Sequence, residues 1–354
     1  MFAADSKVSP ALIGESFTVE PSDAWKQLVL PVEPFLELVA RRLGEQVEAF
    51  DRDIIRYADY ALNGQGKHLR AALLALTANA LGEASDSHVT AAVIIETVHL
   101  ATLVHDDVID EAEIRRGRLT LAANWTNEIA VLLGDCLFAH ALKLAASFPT
   151  PDVCRAVATA TNTVCAGEIL QIQHRRDFGF SRERYFRILE MKTAELFALS
   201  CELGARLSDS TAEQCDGLRQ FGLAFGTAYQ VYDDCVDLFG SEAAAGKSLG
   251  TDLAKGKLTL PVLLLWERAD KADRARVRKL VDGWQRESMK RMAELLAKYE
   301  TLGGSLEIIN GYLQKASQLL RRLPAANGWA GLIGLTDYLA RQTAALGTAP
   351  QGSL

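Results

Sequence analysis

The chain carries two copies of the pattern Asp-Asp-x-x-Asp, each inside an apolar segment with helical periodicity. The first copy comprises Asp106, Asp107 and Asp110, and the second comprises Asp233, Asp234 and Asp237. Residues four apart lie on one face of a helix, where two like charges cost about 0.2–0.5 kcal/mol per pair. Divalent cations that prefer oxygen ligands would offset this repulsion. The pattern therefore indicates an enzyme that uses magnesium and acts on diphosphates.

Basic side chains accompany the first acidic motif. His99 lies two helical turns before it, and Arg115 and Arg116 follow it directly. Earlier in the chain, Lys67 and Arg70 are three residues apart and share one helical face. Carboxylates that hold a metal, next to cations that bind the oxygens the metal leaves free, are what a metal-bridged anion site needs.

A segment rich in glycine and lysine, residues 246–261, follows the second motif. Glycine lets backbone N–H groups approach an oxyanion closely. Gly246, Lys247 and Ser248 match the end of a nucleotide-binding P-loop, but the first glycine of that motif would have to stand where Ser241 is found. No strand is expected before it, so the segment favours a diphosphate over a nucleotide.

Taken together, these motifs resemble those of the trans-isoprenyl diphosphate synthases, the head-to-tail prenyltransferases of the polyprenyl synthetase family. The resemblance covers almost the whole chain, in the family's order and spacing. It rests on the segments GKHLR (66–70), HLATLVHDDVIDEAEIRRG (99–117), GEILQ (167–171), MKTAELF (191–197), YQVYDDCVD (229–237) and GKSLGTDLAKGKLTLP (246–261). His68 and Ala71 depart from the usual pattern, in which arginine and proline are common there, and Thr126 replaces a frequent glycine.

The resemblance implies a role for each charged motif. Three magnesium ions are expected, with manganese as a substitute: two held by Asp106, Asp107 and Asp110, and a third by Asp233 with help from Asp234 and Asp237. The resemblance assigns isopentenyl diphosphate to Lys67, Arg70, His99 and Arg116, and the allylic diphosphate to Arg115, Lys192, Lys247 and Lys257. Thr193 and Gln230 are expected to present oxygens to the developing allylic cation, and the departed diphosphate is expected to take up the proton.

The sequence predicts the positions of Glu168, Gln171 and Lys255 less definitely. Glu168 and Gln171 share a helical face and are expected beside the metals rather than as ligands. Lys255 is as compatible with a solvated loop as with a contact in the site.

Product length depends on the residues before the first motif. The tunnel face is predicted to include Thr97, Ala101 and Thr102, and no Phe or Tyr occurs between residues 91 and 104. In the family, an aromatic residue four or five positions before the motif limits products to short chains. We therefore expect a product longer than geranylgeranyl diphosphate, about thirty to fifty carbons, as in quinone side chains. Phe138 is the candidate floor, so Phe138→Ala should lengthen products and Ala101→Phe should shorten them.

The elements that must position these residues are helices. Periodicity predicts an all-α, single-domain bundle of about a dozen helices around a central cavity, the isoprenoid synthase fold. The domain is expected over residues 23–346, between a weakly ordered arm (1–22) and a short tail (347–354). Helices are predicted near 33–50, 51–63, 67–82, 87–110, 123–147, 150–175, 181–207, 211–240, 257–269, 273–281, 287–301, 304–323 and 329–346.

Composition limits the classes of protein that fit. A net charge of −7 and a pI near 5.5 disfavour nucleic-acid binding. The first residues lack the pattern of a secretory signal, and the apolar stretch 91–104 is too short and too polar to span a bilayer. Six scattered cysteines without a Cys-x-x-Cys pair are expected to be reduced. We expect a cytoplasmic enzyme, peripheral to the membrane at most when it releases product, and, by resemblance, a homodimer.

Other functions remain open. A synthase of shorter products, such as farnesyl or geranylgeranyl diphosphate, would share every charged motif. A class I terpene cyclase also uses an aspartate-rich motif and magnesium, but its second motif usually mixes Asn, Ser/Thr and Glu, and it has no second diphosphate to bind. The regulatory subunit of a heteromeric prenyltransferase commonly loses one acidic motif, whereas this chain keeps both.

Overall fold

The computed structural model describes residues 21–62, 66–115, 117–241, 249–324 and 328–348. These residues form an all-α fold, as predicted. The helices are α1 (Pro21–Val29), α2 (Glu33–Glu45), α3 (Ile55–Leu62), α4 (Leu69–Leu81), α5 (Asp86–Ile109), α6 (Leu121–Asn124), α7 (Asn127–Ala145), α8 (Asp152–Gln173), α9 (Arg182–Leu189), α10 (Glu195–Arg206), α11 (Ala212–Phe239), α12 (Thr251–Ala254), α13 (Leu260–Arg268), α14 (Lys271–Asp282), α15 (Met289–Lys298), α16 (Thr301–Arg322) and α17 (Ala330–Thr348). Single 3₁₀ turns cover Leu30–Val32, Gln46–Ala49 and Arg286–Ser288, and a two-stranded antiparallel hairpin pairs β1 (Ile114–Arg115) with β2 (Arg118–Leu119).

Two apolar clusters form the core, and α4 and α10 belong to both of them. One cluster packs α4 and α10 against α11 and the C-terminal helices, and the other packs them against α2, α3, α5, α7 and α8. In α4, Leu73 belongs to the first cluster and Leu74 to the second. A helix that is apolar on all sides is stable only when it is surrounded by protein. The central position of α4 follows from its sequence.

Local signals fix the ends of the helices that carry the acidic motifs. Ser85 and His88 form a capping box at the start of α5, and Thr211 and Gln214 form one at the start of α11. Such caps satisfy backbone N–H groups that have no partner within the helix. Both helices then run uninterrupted, for 24 and 28 residues, to the acidic motif near their C-terminal ends.

Several helix boundaries differ from the sequence prediction. Helix α1 was not among the predicted helices, and it begins at Pro21, within the predicted arm. Proline fits the first turn of a helix, where its missing N–H has no partner to lose. The helix predicted over 123–147 is interrupted at Trp125, because the hydroxyl of Thr126 accepts a hydrogen bond from the N–H of Ile129 and starts a new helix. Of the predicted arm and tail, only residues 21–22 and 347–348 are described, and they lie in α1 and α17.

Helix α5 is the one helix, in the part of the chain that the structure describes, with the length and hydropathy to cross a membrane. With its 24 residues, α5 is long enough to cross a membrane, whereas the stretch 91–104 alone is too short. Within its most apolar window, 67% of the residues are buried against the rest of the protein. Burial of this extent is typical of a core helix.

Candidate active site

A single large cavity of about 2070 Å³ brings most of the predicted site residues together. Charged side chains line it, among them those near the C-terminal ends of α5 and α11, together with many apolar side chains. The predicted site residues that line it are Lys67, Arg70, His99, Thr102, Asp106, Asp110, Arg115, Phe138, Lys192, Thr193, Gln230, Asp233 and Lys257. Arg116 and Lys247 lie outside the described residues.

The first acidic motif supplies two carboxylates to the cavity. Asp106 and Asp110 line it, one helical turn apart, whereas Asp107 does not. The carboxylate of Asp107 is turned to the hairpin, where it accepts a hydrogen bond of 2.7 Å from Nε of Arg115. Burial raises the pKa of Asp107, and Arg115 opposes that effect by stabilising the charged form. The hydrogen bond from Arg115 uses only Oδ1 of Asp107.

Burial and nearby cations act in opposite directions on the two carboxylates in the cavity. Burial raises the pKa of Asp106, although Lys192 lies 3.7 Å away and favours the charged form. For Asp110, burial also acts to raise the pKa, but ion pairs with Lys257 and Lys255 outweigh it and lower the pKa to about 2. Asp110 is therefore charged at neutral pH, as a magnesium ligand has to be.

Only one carboxylate of the second acidic motif lines the cavity. This residue is Asp233. Asp234 is buried, and its two oxygens accept hydrogen bonds from Tyr185 Oη at 2.5 Å and from Gln230 Nε2 at 2.8 Å. Asp237 is fully buried and accepts hydrogen bonds from the backbone N–H and the hydroxyl of Thr251 at 3.2 and 2.8 Å.

Asp234 and Asp237 do not line the large cavity in this structure, and their role as metal ligands stays a prediction. In this structure their oxygens accept hydrogen bonds from protein donors. Their supporting role, the other part of the expectation, agrees with their contacts. Asp234 orients Gln230, and Asp237 anchors the start of α12 against α11.

The hydroxyl of Tyr185, which sequence reasoning missed, is the donor that satisfies Asp234. Tyr185→Phe leaves one oxygen of a buried carboxylate without its donor. We expect the free energy of unfolding to fall by about 1–3 kcal/mol, the usual cost of an unsatisfied buried group. Urea denaturation measures the change. Tyr57→Phe, which removes the more exposed hydroxyl beside Arg56, is the control and should change stability by less. Equal effects of the two variants would contradict the role of Tyr185.

Lys192 and Thr193 lie in a π-helical turn, Glu190–Ala194, between α9 and α10. Such turns are rare and are frequent at functional sites. Neighbouring glycines hold the turn closely: a Cβ at Gly167 would lie 2.8 Å from the backbone N of Lys192, and one at Gly226 would lie 2.8 Å from Cα of Ala194. The turn therefore has little room to move between α8 and α11.

Two side chains of the π turn, Lys192 and Thr193, line the cavity. Burial acts to lower the pKa of Lys192, but the carboxylates of Asp106 and Glu168 raise it, so the ammonium group stays charged. Its Nζ forms an ion pair with Glu168 and donates to Gln171 Oε1 at 3.0 Å. Both residues lie beside the acidic motif, as predicted. The hydroxyl of Thr193 donates to Oε1 of Gln230 at 3.0 Å.

A second group of basic residues, predicted to bind isopentenyl diphosphate, lines another part of the cavity wall. Lys67, Arg70 and His99 all belong to it. The guanidinium of Arg70 lies 4.7 Å from the centre of the Phe197 ring, a cation–π contact that fixes its direction. His68, where the family commonly has arginine, is paired with the buried Glu96 at 3.3 Å. Glu96 also accepts the N–H of Ala71, so it anchors the start of α4.

The residues predicted to set product length only partly line the cavity. Thr102 and Phe138 do, as do Leu100 and Leu103, but Ala101 and Thr97 are fully buried in the core. An α-helix turns about 100° per residue, so a residue four positions before Asp106 shares its face and one five positions before does not. Ala101 and Thr97 therefore do not line the cavity in this structure, whereas Thr102 does, and their place on the tunnel face stays a prediction.

Sequence reasoning missed Arg175 as a site residue. Its Nη2 donates to Oδ1 of Asp110 at 2.7 Å. The available signal was its place two residues after the end of α8, in the stretch His-Arg-Arg that follows the GEILQ segment. Lys255, for which the sequence left both possibilities open, is in contact with Asp110 at 3.0 Å.

The chain is similar to known proteins in sequence and in structure. Residues 52–299 match the family model of the polyprenyl synthetases. The chain is 32% identical over 277 residues to an octaprenyl diphosphate synthase of Haemophilus influenzae, an alignment covering 78% of this chain and 84% of that protein. The family model covers more than half of the chain. The chain therefore belongs to the polyprenyl synthetase family, and the predicted resemblance is confirmed.

Solved structures show the same fold. The crystal structure of a decaprenyl diphosphate synthase from Rhodobacter capsulatus is similar with a TM-score of 0.83 and 30% identity, covering 90% of this chain and 99% of that one. A polyprenyl synthase from Caulobacter crescentus, crystallised with calcium and isoprenyl diphosphate, is similar with a TM-score of 0.84 and 30% identity, covering 90% and 98%. The predicted isoprenoid synthase fold is confirmed.

Proposed function

We propose that this protein is a magnesium-dependent prenyltransferase that joins isopentenyl diphosphate head to tail to an allylic diphosphate and makes a long-chain all-trans polyprenyl diphosphate. The observation that supports it best is the cavity itself. Basic side chains, carboxylates from both α5 and α11, and many apolar side chains line this one cavity. Two diphosphates and a growing hydrocarbon are the substrates that such a cavity fits.

The residues present fit magnesium. Asp106 and Asp110 enter the cavity from α5, Asp233 enters it from α11, and Asp110 is held in its charged form. These carboxylates would hold the ions, and Asp107 would join them. Magnesium, when bound, stabilises the negative charge that develops on the departing diphosphate.

The chain's own cations act in the same direction. Lys192, Lys257 and Arg115 surround the position of the allylic diphosphate and stabilise its charge more as the carbon–oxygen bond breaks, which is differential binding of the transition state. The bonding electrons leave with the diphosphate and an allylic cation remains. The hydroxyl oxygen of Thr193 and the amide oxygen of Gln230 face this part of the cavity and favour positive charge there.

The second substrate completes the reaction. Lys67, Arg70 and His99 hold the diphosphate of isopentenyl diphosphate, and its double bond attacks the allylic cation to form the new carbon–carbon bond. A proton is then lost to the departed diphosphate, which restores an allylic product. Leu100, Leu103 and Phe138 exclude water, which would otherwise trap the cation.

A long product follows from the shape of the apolar wall. Leu100, Thr102 and Leu103 of α5 line the cavity and none of them is aromatic, and Phe138 on α7 lines it as well. Phe138 is only partly buried and is fixed by an edge contact with the ring of His105, at 5.6 Å between centroids. We therefore assign Phe138 as the residue that limits chain length.

Release of inorganic pyrophosphate tests the reaction class. Purified protein with isopentenyl diphosphate, an allylic primer and magnesium should release one pyrophosphate for each unit added, and a chelator should stop the release. No release of pyrophosphate from any primer would refute the proposed reaction. Pyrophosphate released from the primer alone, together with a cyclic hydrocarbon, would indicate a terpene cyclase instead.

We also propose that the enzyme acts as a homodimer in the cytoplasm. The helices α7 and α8 expose Val131, Leu132 and Ile169, with 63% of Leu132 accessible, and such exposed apolar groups are typical of protein interfaces. A second copy of the chain is the partner that these apolar groups fit best. Among the described residues all six cysteines are unpaired, which suits a reducing compartment.

The dimer is tested by one substitution on α7. Leu132→Glu places a charge in the proposed interface, and we expect the dimer to dissociate at micromolar concentration because burying an unpaired charge is costly. Light scattering after size-exclusion chromatography measures the mass. Leu30→Glu, at a leucine of 62% exposure outside α7 and α8, is the control and should remain dimeric. A monomeric unmodified protein, or a dimeric Leu132→Glu variant, would contradict this interface.

A further inference from the structure

Three basic side chains from two separate segments converge on the carboxylate of Asp110. Arg175 Nη2 donates to its Oδ1 at 2.7 Å, and the Nζ atoms of Lys255 and Lys257 donate to its Oδ2 at 3.0 and 2.8 Å. The side chain of Asp110 is only 8% exposed. A lysine ammonium group carries three N–H donors and an arginine guanidinium group five, so this cluster has donors beyond those that it gives to Asp110.

The backbone holds the two segments together. The N–H of Arg176 donates to the carbonyl of Gly256 at 2.7 Å, which links the residue after Arg175 to the residue between the two lysines. Both linking residues have left-handed backbone conformations, with φ of +58° at Arg176 and +73° at Gly256. A Cβ at Gly256 would lie 2.7 Å from Cγ of Arg176, so only glycine allows this approach.

Arg175 also has unused capacity for hydrogen bonding. Its Nε is buried and has no acceptor among the residues that the structure describes. A guanidinium group presents its donors in a plane that matches two oxygens of a phosphate. A phosphate group beside Asp110 would supply the missing acceptor.

We propose that Arg175 and Lys255 are additional diphosphate-binding residues that exchange partners during the catalytic cycle. In the free enzyme they neutralise Asp110 together with Lys257. When Asp110 turns to a metal ion, the three cations transfer to the phosphate oxygens of the allylic diphosphate. This inference rests on the proposed function, which supplies both the diphosphate and the metal.

The exchange of partners predicts a change in binding that a purely structural role of Arg175 would not produce. Removing the charge of Arg175 takes one donor from the diphosphate and also one competitor from Asp110. Binding of the anion should therefore weaken, while binding of a divalent cation in the absence of the anion should be retained or strengthened. Damage to the fold would weaken both.

The test compares Arg175→Gln and Lys255→Gln with the unmodified protein. Calorimetry with inorganic pyrophosphate and magnesium should show an affinity lower by about tenfold for Arg175→Gln, since a charged hydrogen bond contributes about that factor. Titration with Mn²⁺ alone, followed by its electron paramagnetic resonance signal, should show an affinity equal to or higher than that of the unmodified protein. Arg155→Gln, which removes an arginine on the exposed face of α8, is the matched control and should change neither.

Two results would overturn the proposal: pyrophosphate affinity unchanged in both variants, or a parallel loss of pyrophosphate and Mn²⁺ affinity. Prenyl transfer by the unmodified protein is measured separately. If the unmodified protein elongates a primer while both variants bind pyrophosphate normally, the inference fails and the proposed function stands. If the unmodified protein elongates no primer, the proposed function fails irrespective of the variants.

Discussion

Asp106→Asn should lower the turnover number for prenyl transfer by about a thousandfold, at the upper end of what one stabilising group contributes to a transition state. Asp106 lies on the face of α5 that lines the cavity, 3.7 Å from Lys192 and one turn from Asp110. Asparagine keeps the volume of aspartate and removes its charge. The variant therefore loses a metal ligand and, with it, stabilisation of the departing diphosphate.

Initial rates with a fixed allylic primer, measured across magnesium concentrations, give the turnover number. Asp152→Asn, in the first turn of α8 outside the cavity, is the control and should retain the rate of the unmodified protein. Circular dichroism shows whether both variants are folded. A folded Asp106→Asn variant with a rate within tenfold of the unmodified protein would contradict the role of Asp106.

Thr102→Phe should shorten the product to fifteen or twenty carbons. Thr102 lies on the same face of α5 as Asp106 and lines the cavity, so an aromatic ring there would close part of it. Phe138→Ala should act in the opposite direction, because it removes the ring that we assign as the floor. Each isoprene unit adds five carbons, so mass spectrometry resolves the change.

A control separates closure of the cavity from a general effect of an added ring. Thr159→Phe introduces the same side chain at an exposed position of α8 and should leave product length unchanged. Ala101→Phe is expected to destabilise the protein, because Ala101 is fully buried and overpacking a core usually costs about 1–3 kcal/mol. Identical products from Thr102→Phe and the unmodified protein would refute the assignment of this wall.

The all-α fold and most helices followed from the sequence because their signals are local. Long runs with helical periodicity, capped by residues such as Ser85 and Thr211, leave little choice of structure. The π turn at Glu190–Ala194 was not predicted, since its hydrogen bonding depends on close contacts with Gly167 and Gly226. Those contacts join helices distant in the sequence, which periodicity within one segment cannot reveal.

Side chain type and helical face predicted that Asp106, Asp110 and Lys192 belong to one site, and these residues line the same cavity. Their roles in that site stay predictions. Nothing in the motif itself separates Asp233, which lines the cavity, from Asp234, which is bonded to Tyr185. The three acidic positions of the motif are all aspartate, and only the packing around α11 distinguishes them.

The most direct test of the central claim is the size of the product made by the unmodified protein. Isopentenyl diphosphate and magnesium would be supplied with dimethylallyl, geranyl, farnesyl or geranylgeranyl diphosphate as the primer, and the products sized by mass spectrometry. The structure predicts chains longer than twenty carbons with at least one primer. Products that end at fifteen or twenty carbons with every primer would contradict the open wall at Thr102 and the assignment of a long-chain synthase.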